Sequence, residues 1–316
     1  VFSTAYLWHN YGNSTIGARS DVENVPIERL QSFYRKYYQP DNAVLVVAGN
    51  FDAPAALDLV VEKFAGTPRP ERVGQDILYP TYTAEPTQDG ERTVTLRRVG
   101  DVQYITTLYH APPGSHPDFA PLDVLAFVLG DTPSGRLYSS LVETQLATRA
   151  GARAYQLREE GPLVTTATVD VDRDLSGVLR VMNQTVEGVL EDPVTEAEVQ
   201  RARASILNGI NQRFNTSTGI ALDLTEWAAR GDWRLFFLHR DRIEAVTADD
   251  VNRVARAYLK ADNRTVGLFY PTPNPDRAEI PDVPDVAAMV ADYRGREAVA
   301  EGEAFDPSPS NIESRT

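Results

Sequence analysis

The sequence predicts an α+β fold, and three observations carry that prediction. Apolar runs that suit β-strands come in hairpin-like pairs, whereas runs with helical spacing follow one another along the second half of the chain. A doubly wound parallel sheet would instead alternate single strands with single helices. Hydrophobic residues make up 42% of the chain and charged residues 24%, which is ordinary for a globular protein.

Length and charge narrow the class of protein further. A chain of 316 residues is long enough for about two domains that need neither disulfides nor a structural metal. The formal net charge of −14 would repel a phosphate backbone, so no nucleic-acid partner is expected. Cysteine is absent, which excludes thiol chemistry. No apolar run reaches the roughly 18 residues that span a bilayer, so no membrane insertion is expected.

The first 66 residues contain the pattern helix, strand, helix. Apolar residues recur at helical spacing over residues 26–38 and predict a helix. The most apolar stretch, Ala43–Ala48, has the length of a buried strand. Asp52 is a suitable N-cap for a second helix, which ends at Gly66.

Residues 66–90 hold proline and glycine without periodicity, which predicts a linker. The elements predicted after it are strands over 93–98 and 102–109, helices over 119–129 and 136–144, and strands over 147–157 and 163–171. A turn separates the members of each strand pair, at Gly100-Asp101 in the first and at residues 159–162 in the second.

Helices dominate the rest of the chain. An apolar stripe around Met182 predicts one helix, and two capping boxes, Thr195-x-x-Glu198 and Thr247-x-x-Asp250, predict the starts of two more. Residues 266–270 predict a closing strand. The chain beyond Pro271 is proline-rich and acidic, which predicts an extended or disordered tail.

The histidines give no metal-site pattern. The chain has four of them, His9, His110, His116 and His239. A zinc site on a helix requires two histidines close together on one face with a glutamate, and none of the four has such a neighbour. His110 and His116 flank a proline pair, so we expect them on a loop as solvated side chains.

Four other patterns favour structural roles. Aspartates alternate over residues 170–174 as in an EF-hand, but Leu175 stands where that loop needs glycine. Glu159-Glu160 lies at a predicted hairpin tip, where simple surface charge is expected. Residues 130–135 lack the lysine of a phosphate loop and predict a helix–helix turn. The aromatic residues within 33–38 are expected to serve core and interface packing. The residues taken alone predict no catalytic, cofactor-binding or metal-binding residue.

Two stretches, taken in order, resemble one known family. The first runs from Phe33 to Asp52 and contains Tyr38-Gln-Pro40-Asp-Asn42, the apolar strand and Gly49-Asn-Phe-Asp52, with His9-Asn-Tyr-Gly12 upstream. The second runs from His116 through Ser134-Gly-Arg136 to Ala147, and residues 219–270 resemble the end of the same domain. Over about residues 9–270 the chain is similar to the M16 (pitrilysin/insulinase-type) zinc metallopeptidases.

The resemblance implies the M16/LuxS-like fold, an antiparallel-rich sheet with helices packed on one face. It also implies four parts, which are the C-terminal remnant of a first M16 domain over 1–66, a linker over 67–89, a second, non-catalytic domain over 90–271, and a Pro-rich acidic linker toward a third domain over 272–316. The family's His-x-x-Glu-His pair and distal Glu match no position here and are expected upstream of Val1. The family's substrate-holding Arg and Tyr are not matched either, because Val142 stands at the Arg position and Tyr155 lies too far along.

The function that the resemblance implies is that of a fragment of a zinc-dependent endopeptidase. The parent would use zinc, whereas this part would bind none and would enclose a peptide or unfolded protein substrate as chamber wall. Its partners would be other M16 domains of the same chain or of a partner subunit. One alternative is a non-catalytic M16-like subunit or core protein, and another is an unrelated binding module. A bacterial periplasmic location rests on the resemblance alone.

Overall fold

The computed structural model describes residues 1–296, 302 and 306–315. Contacts divide the chain into two compact units, residues 1–275 and 276–316. The first unit holds a five-stranded sheet and most of the helices. The second unit has two short helices in its described part, α11 Val286–Val290 and α12 Pro309–Arg315, where an extended or disordered tail was predicted.

The sheet is mostly antiparallel, as the fold prediction requires. Its strands are, in chain order, β1 Arg92–Arg98, β2 Gln103–Ala111, β3 Arg149–Ala154, β4 Gly161–Val169 and β5 Arg264–Pro271. They lie across the sheet in the order β1-β5-β2-β4-β3. Only β1 and β5 run parallel among these pairs.

One of the two predicted hairpins forms. β3 and β4 pair antiparallel, as predicted, and residues 155–160 connect them, close to the turn predicted at 159–162. β1 and β2 do not pair, because β5 lies between them, so that part of the prediction is wrong. The physical reason lies in the residues of the two strands. β5 carries apolar side chains on both faces and suits a central position, whereas the arginines at the ends of β1 suit an edge.

The helices of the first unit are, in chain order, α1 Phe2–Ala5, α2 Arg19–Asn24, α3 Ile27–Tyr37, α4 Ala53–Phe64, α5 Phe119–Gly130, α6 Leu175–Glu187, α7 Glu196–Arg213, α8 Ser217–Ala229, α9 Leu235–Ala245 and α10 Ala248–Tyr258. A π-helical turn, Tyr138–Val142, stands in place of most of the helix predicted over 136–144. Asp52 caps α4 as predicted, because its side chain accepts the Ala55 N–H.

The core lies between one face of the sheet and the helices. At its centre is α5, in which nine of twelve residues are buried. Ile105 and Tyr109 of β2 face α5 and its neighbours, and α6, α7, α9 and α10 add apolar side chains to the same cluster. The predicted α+β architecture, with helices on one face of the sheet, is therefore confirmed.

The predicted strand Ala43–Ala48 does not form. These residues have no regular secondary structure, and the side chains of Val44, Leu45 and Val47 are 66%, 59% and 51% exposed. The prediction is wrong for this chain because a strand needs a paired neighbour, and the described residues provide none. An apolar stretch of this length is compatible with a strand, but it does not show whether a neighbouring strand is there to pair with it.

The helices beside this stretch also expose apolar side chains. Leu30, Phe33 and Tyr37 of α3 and Leu57 and Phe64 of α4 are all exposed. Aromatic rings of α3 contact one another, as Phe33 does Tyr37 with ring centroids 4.5 Å apart, but they are not part of a core. We call these residues, together with Val44, Leu45 and Val47, the N-terminal apolar surface.

Both predicted capping boxes are present. Thr195 and Glu198 cap α7 reciprocally, as do Thr247 and Asp250 at α10. Glu198 also pairs with Arg136, whose Nε lies 2.8 Å from Glu198 Oε1. Burial opposes ionisation of Glu198, but hydrogen bonds from Arg136 and Thr195 outweigh it and lower the pKa of the carboxyl to about 2.

Acid stability provides a test of this ion pair. The unfolded-state pKa of glutamate is about 4.3, so the contribution of Glu198 to stability is present above that pH and is lost as pH falls toward 2. We expect Glu198→Gln to lower the urea midpoint at pH 7 and to flatten its fall between about pH 5 and pH 2. Urea titrations of both proteins across this range measure the effect. The exposed Glu143→Gln is the matched control, and an equal acid slope in all three proteins would contradict the prediction.

Candidate functional site

The sheet face opposite the helices is covered over part of its area by residues 1–12, which we call the N-terminal segment. Ala5 and Tyr6 pack on Leu108 of β2 and Val164 of β4. Val1 lies directly on Gly267 of β5, where an added Cβ would come within 2.1 Å of a Val1 methyl group. Glycine at this position therefore allows the segment to lie against the strand.

A polar group fixes the segment to the sheet. We call it the junction cluster, and it consists of Glu85, His9, His110, Glu159 and Glu160. His9 Nε2 contacts Glu159, and the Tyr11 N–H donates to His9 Nδ1 at 3.2 Å. Because both ring nitrogens of His9 have partners within the chain, this histidine is not placed to act as a general base.

His110 is the second histidine of the junction cluster. It lies in β2 with 6% of its surface exposed, so the predicted position on a solvated loop is wrong. Its Nε2 lies 3.2 Å from the Ala5 carbonyl oxygen, to which it donates. Its Nδ1 lies 3.1 Å from Glu160 Oε1, but at an angle that forms no hydrogen bond. The strand itself was predicted over 102–109, but its end was placed before His110 because the proline pair follows that residue by two positions.

Glu85, in the segment before β1, contacts the same place. Its carboxylate accepts the backbone N–H groups of Leu7, Trp8 and His9 at 2.9–3.0 Å. Burial opposes ionisation, but these three donors outweigh it and lower the pKa of Glu85. The junction cluster therefore connects the N-terminal segment, the residues before β1 and the β3–β4 turn. Glu159 and Glu160 lie at the predicted hairpin tip, but they contact histidines and are not simple surface charge.

The other sequence patterns are dispersed over the fold. His116 is exposed on the loop before α5, and His239 is buried beside Asp123 with Nε2 and Oδ2 3.2 Å apart. Asp174 caps α6, and residues 130–135 form the turn after α5. In the part of the chain that the structure describes, no three His, Asp or Glu side chains converge as metal ligands would.

Val142 and Tyr155 were compared with the family's substrate-holding Arg and Tyr. Neither lines the part of the sheet face that the N-terminal segment leaves uncovered. Val142 ends the π-helical turn and is half-buried. Tyr155 follows β3 and packs edge-on against Phe2, with ring centroids 5.7 Å apart. Tyr155 therefore helps to seat the N-terminal segment.

The rest of this sheet face forms an open apolar groove. It is lined by Val94 and Leu96 of β1, Tyr104 of β2 and Phe269 of β5, beside Val1, and encloses about 430 Å³. We call it the face groove. Its lining can bury apolar side chains of a ligand, and Asp101 adds a carboxylate beside them. In the sequence, Val94 and Leu96 alternate with threonine, which indicates a strand with one apolar face. This alternation does not show which face of the sheet the helices leave uncovered.

Comparisons with known proteins agree on one family. A sequence model described as the peptidase M16 inactive domain matches residues 24–206, more than half of the chain. The chain is 24% identical over 272 residues to zinc protease PqqE of Helicobacter pylori, covering 85% of this chain and 61% of that protein. A crystal structure of a protease from Helicobacter pylori has a TM-score of 0.80 and 24% identity, over 85% of this chain and 65% of that one.

A second crystal structure matches a shorter part of the chain at higher identity. An inactive peptidase domain from Bordetella parapertussis is 40% identical, with a TM-score of 0.53, over 57% of this chain and 98% of that domain. The chain spans about three fifths of the length of the curated relatives it matches. Within the described residues, no helix combines the length and the apolar character needed to cross a bilayer.

Proposed function

Because the chain belongs to the peptidase M16 family, we propose that it is a non-catalytic part of a zinc-dependent endopeptidase and forms wall and scaffold around the substrate. In this proposal, residues 1–66 are the C-terminal remnant of a first M16 domain and 67–89 are a linker. Residues 90–271 are a second, non-catalytic domain, and residues 272–316 lead toward a third. The zinc chemistry of the parent is assigned to residues outside this chain.

The observation that carries the proposal is the N-terminal apolar surface. Soluble monomers rarely expose contiguous apolar patches of more than a few hundred Å². Here two amphipathic helices and a strand-length apolar stretch all expose apolar side chains. The stretch 43–48 is strand-like in sequence and lacks a pairing neighbour in the described part of the chain. Both features are what a domain remnant would display when the remaining strands of its sheet are supplied by another polypeptide segment.

The face groove supports the role of wall. The helices bury one face of the sheet, and the opposite face is open wherever the N-terminal segment does not cover it. A groove with apolar lining on a sheet face can hold apolar side chains of an extended peptide. The substrate class proposed for the parent is therefore a peptide or an unfolded protein.

Zinc does not fit the described residues of this chain, since no three suitable donors converge. A catalytic zinc site requires three protein ligands and an open position for water. We therefore assign the ligands to a His-x-x-Glu-His motif in another M16 domain and derive no step of hydrolysis from this chain. Curated relatives that resemble this chain carry the name zinc protease, which supports zinc in the parent.

A second candidate is a non-catalytic M16-like subunit that acts as structural partner of another protein. The N-terminal apolar surface fits this candidate equally well, because a partner subunit could cover it as a first domain would. The two candidates differ in the protein sequence that precedes the matched region. A His-x-x-Glu-His motif there supports the endopeptidase, and an M16 domain without it supports the structural subunit.

Assembly tests the proposal. We expect the chain to form a stable complex with a separately expressed M16 domain, namely the remaining part of the first domain of the same protein. Phe33→Asp combined with Leu45→Asp should weaken this complex at least about 100-fold, because each buried apolar anchor of an interface contributes on the order of 2 kcal/mol. Sedimentation velocity over a concentration series measures the dissociation constant.

The matched control is Leu222→Asp, which changes an equally exposed leucine on α8. It should leave the dissociation constant of the complex unchanged. The thermal midpoints of all variants should match that of the unsubstituted chain. A complex that tolerates the double substitution, or the absence of any complex, would contradict the proposed assembly.

A further inference from the structure

A second cavity lies on the helical side of the first unit and has no role in the proposed function. It encloses about 470 Å³ between the end of β3 and helices α5, α7, α8 and α9. We call it the helical pocket. Neither the face groove nor the junction cluster shares its lining. Its volume is within the range of sites that bind small molecules.

The floor of the helical pocket is aromatic. Trp227 and Phe236 are almost fully buried and meet edge to face with ring centroids 6.3 Å apart. His239 lies against Trp227, with centroids 5.2 Å apart. The guanidinium of Arg230 lies over the Trp227 ring at 5.4 Å. Trp227 and Phe236 therefore give the pocket an apolar, aromatic part.

The acidic side chains of the helical pocket already have partners. The pairs are Asp123 with His239 at 3.2 Å, Asp223 with Arg213 at 2.8 Å, and Glu226 with Arg230 at 3.2 Å. Burial lowers the pKa of Arg230, although the charge of Glu226 opposes this. Because each of the three carboxylates already has a basic partner, none of them favours a cationic ligand.

One buried donor in the same pocket lacks an acceptor, and an exposed arginine at its edge forms no ion pair in the described residues. Gln156 Nε2 is buried and has no hydrogen-bond partner within the described residues. Arg153 forms no ion pair within that part of the chain, and its guanidinium stacks 5.1 Å above the ring of Tyr155. A buried amide donor without a partner costs about 1–3 kcal/mol, so an acceptor that reaches it would gain affinity.

We propose that the helical pocket binds a small carboxylate that carries an apolar group, either a free acid or the C-terminal residue of a peptide. The carboxylate accepts from Arg153 and from Gln156 Nε2, and the apolar group lies on Trp227 and Phe236. A carboxylate is favoured because Gln156 Nε2 is a donor without an acceptor and the guanidinium of Arg153, which has no ion-pair partner in the described residues, adds positive charge. The inference does not depend on the proposed function, since none of these residues belongs to the N-terminal apolar surface or the face groove.

The test compares three probes on the intact chain. They are N-acetyl-L-phenylalanine, the peptide Gly-Gly-Gly-Phe with a free carboxylate, and the same peptide as its C-terminal amide. We expect at least one of the two acids to bind saturably and at least about tenfold more tightly than the amide, because the amide lacks the charged acceptor. Ligand-observed NMR titration measures each dissociation constant. Binding of the peptide acid without N-acetyl-L-phenylalanine identifies a peptide terminus as the source, and the reverse identifies a free acid.

Variants place the site. Arg153→Gln should weaken acid binding about tenfold, Arg153→Lys should restore part of it, and Gln156→Leu should weaken it as well. Arg149→Gln removes an exposed arginine from the same strand outside the pocket and should leave binding unchanged. Arg153 is exposed, so its variants are expected to keep the thermal midpoint of the parent chain. Equal affinity for acid and amide, unchanged binding by Arg153→Gln, or no acid binding up to about 10 mM would overturn the proposal.

Discussion

Replacing Leu125 with alanine is expected to lower the free energy of unfolding of the first unit by about 2–5 kcal/mol. Leu125 lies in the middle of α5 with 0% of its surface exposed, in the cluster that joins the sheet to the helices. The substitution removes buried apolar contacts and leaves a cavity that the packed neighbours cannot fill. Urea unfolding followed by far-UV circular dichroism measures the loss.

The matched control for this prediction is Leu222→Ala. Leu222 also lies in a helix, α8, but 61% of its surface is exposed, so the change in stability should be within about 0.5 kcal/mol. Comparable losses for the two leucines would mean that α5 is not the centre of the core. The architecture described here would then be wrong at its most important contact.

The second large effect is expected at Gly130, the last residue of α5. A Cβ added there would lie 2.0 Å from the backbone nitrogen of Ala152 and 2.8 Å from its Cα. Because the obstruction is strand backbone, no side-chain rotation can relieve it, and helix and strand must separate. We expect Gly130→Ala to destabilise the first unit by about 1–3 kcal/mol despite the better helix propensity of alanine.

Gly209→Ala provides the control for helix propensity. Gly209 lies inside α7, and a Cβ there would meet nothing within 4 Å. This substitution should raise the free energy of unfolding by up to about 1 kcal/mol, since alanine is favoured over glycine in a helix. If Gly130→Ala lowers the free energy of unfolding and Gly209→Ala raises it in the same assay, the close approach of α5 and β3 is supported. A stabilising Gly130→Ala would contradict it.

The elements that sequence reasoning predicted correctly are specified by local interactions. Thr195-x-x-Glu198 and Thr247-x-x-Asp250 each place donor and acceptor within one turn, so the start of a helix is written in four residues. The β3–β4 hairpin is similar, because its turn joins strands that are neighbours in the chain. The family was also recognised correctly, from short motifs in a fixed order.

The features that were missed depend on partners distant in the sequence. β5 enters the sheet between β1 and β2 from more than 150 residues away along the chain, and no turn signal reports such an insertion. His110 lies in β2 and is buried by contacts with Ala5 and Glu160, which are distant in the sequence. The proline pair after it indicated a loop, so neither the strand position nor the burial was predicted. The helical pocket combines the end of β3 with helices near residues 206–239, so its donors share no motif.

Peptide cleavage tests the central claim of the account most directly. The chain would be purified, supplied with zinc, and assayed with a fluorogenic peptide alone and after addition of the M16 domain that carries His-x-x-Glu-His. We expect no turnover above a zinc-containing buffer for the chain alone and chelator-sensitive turnover for the mixture. Chelator-sensitive cleavage by the chain alone, together with one tightly bound zinc per molecule, would contradict the account.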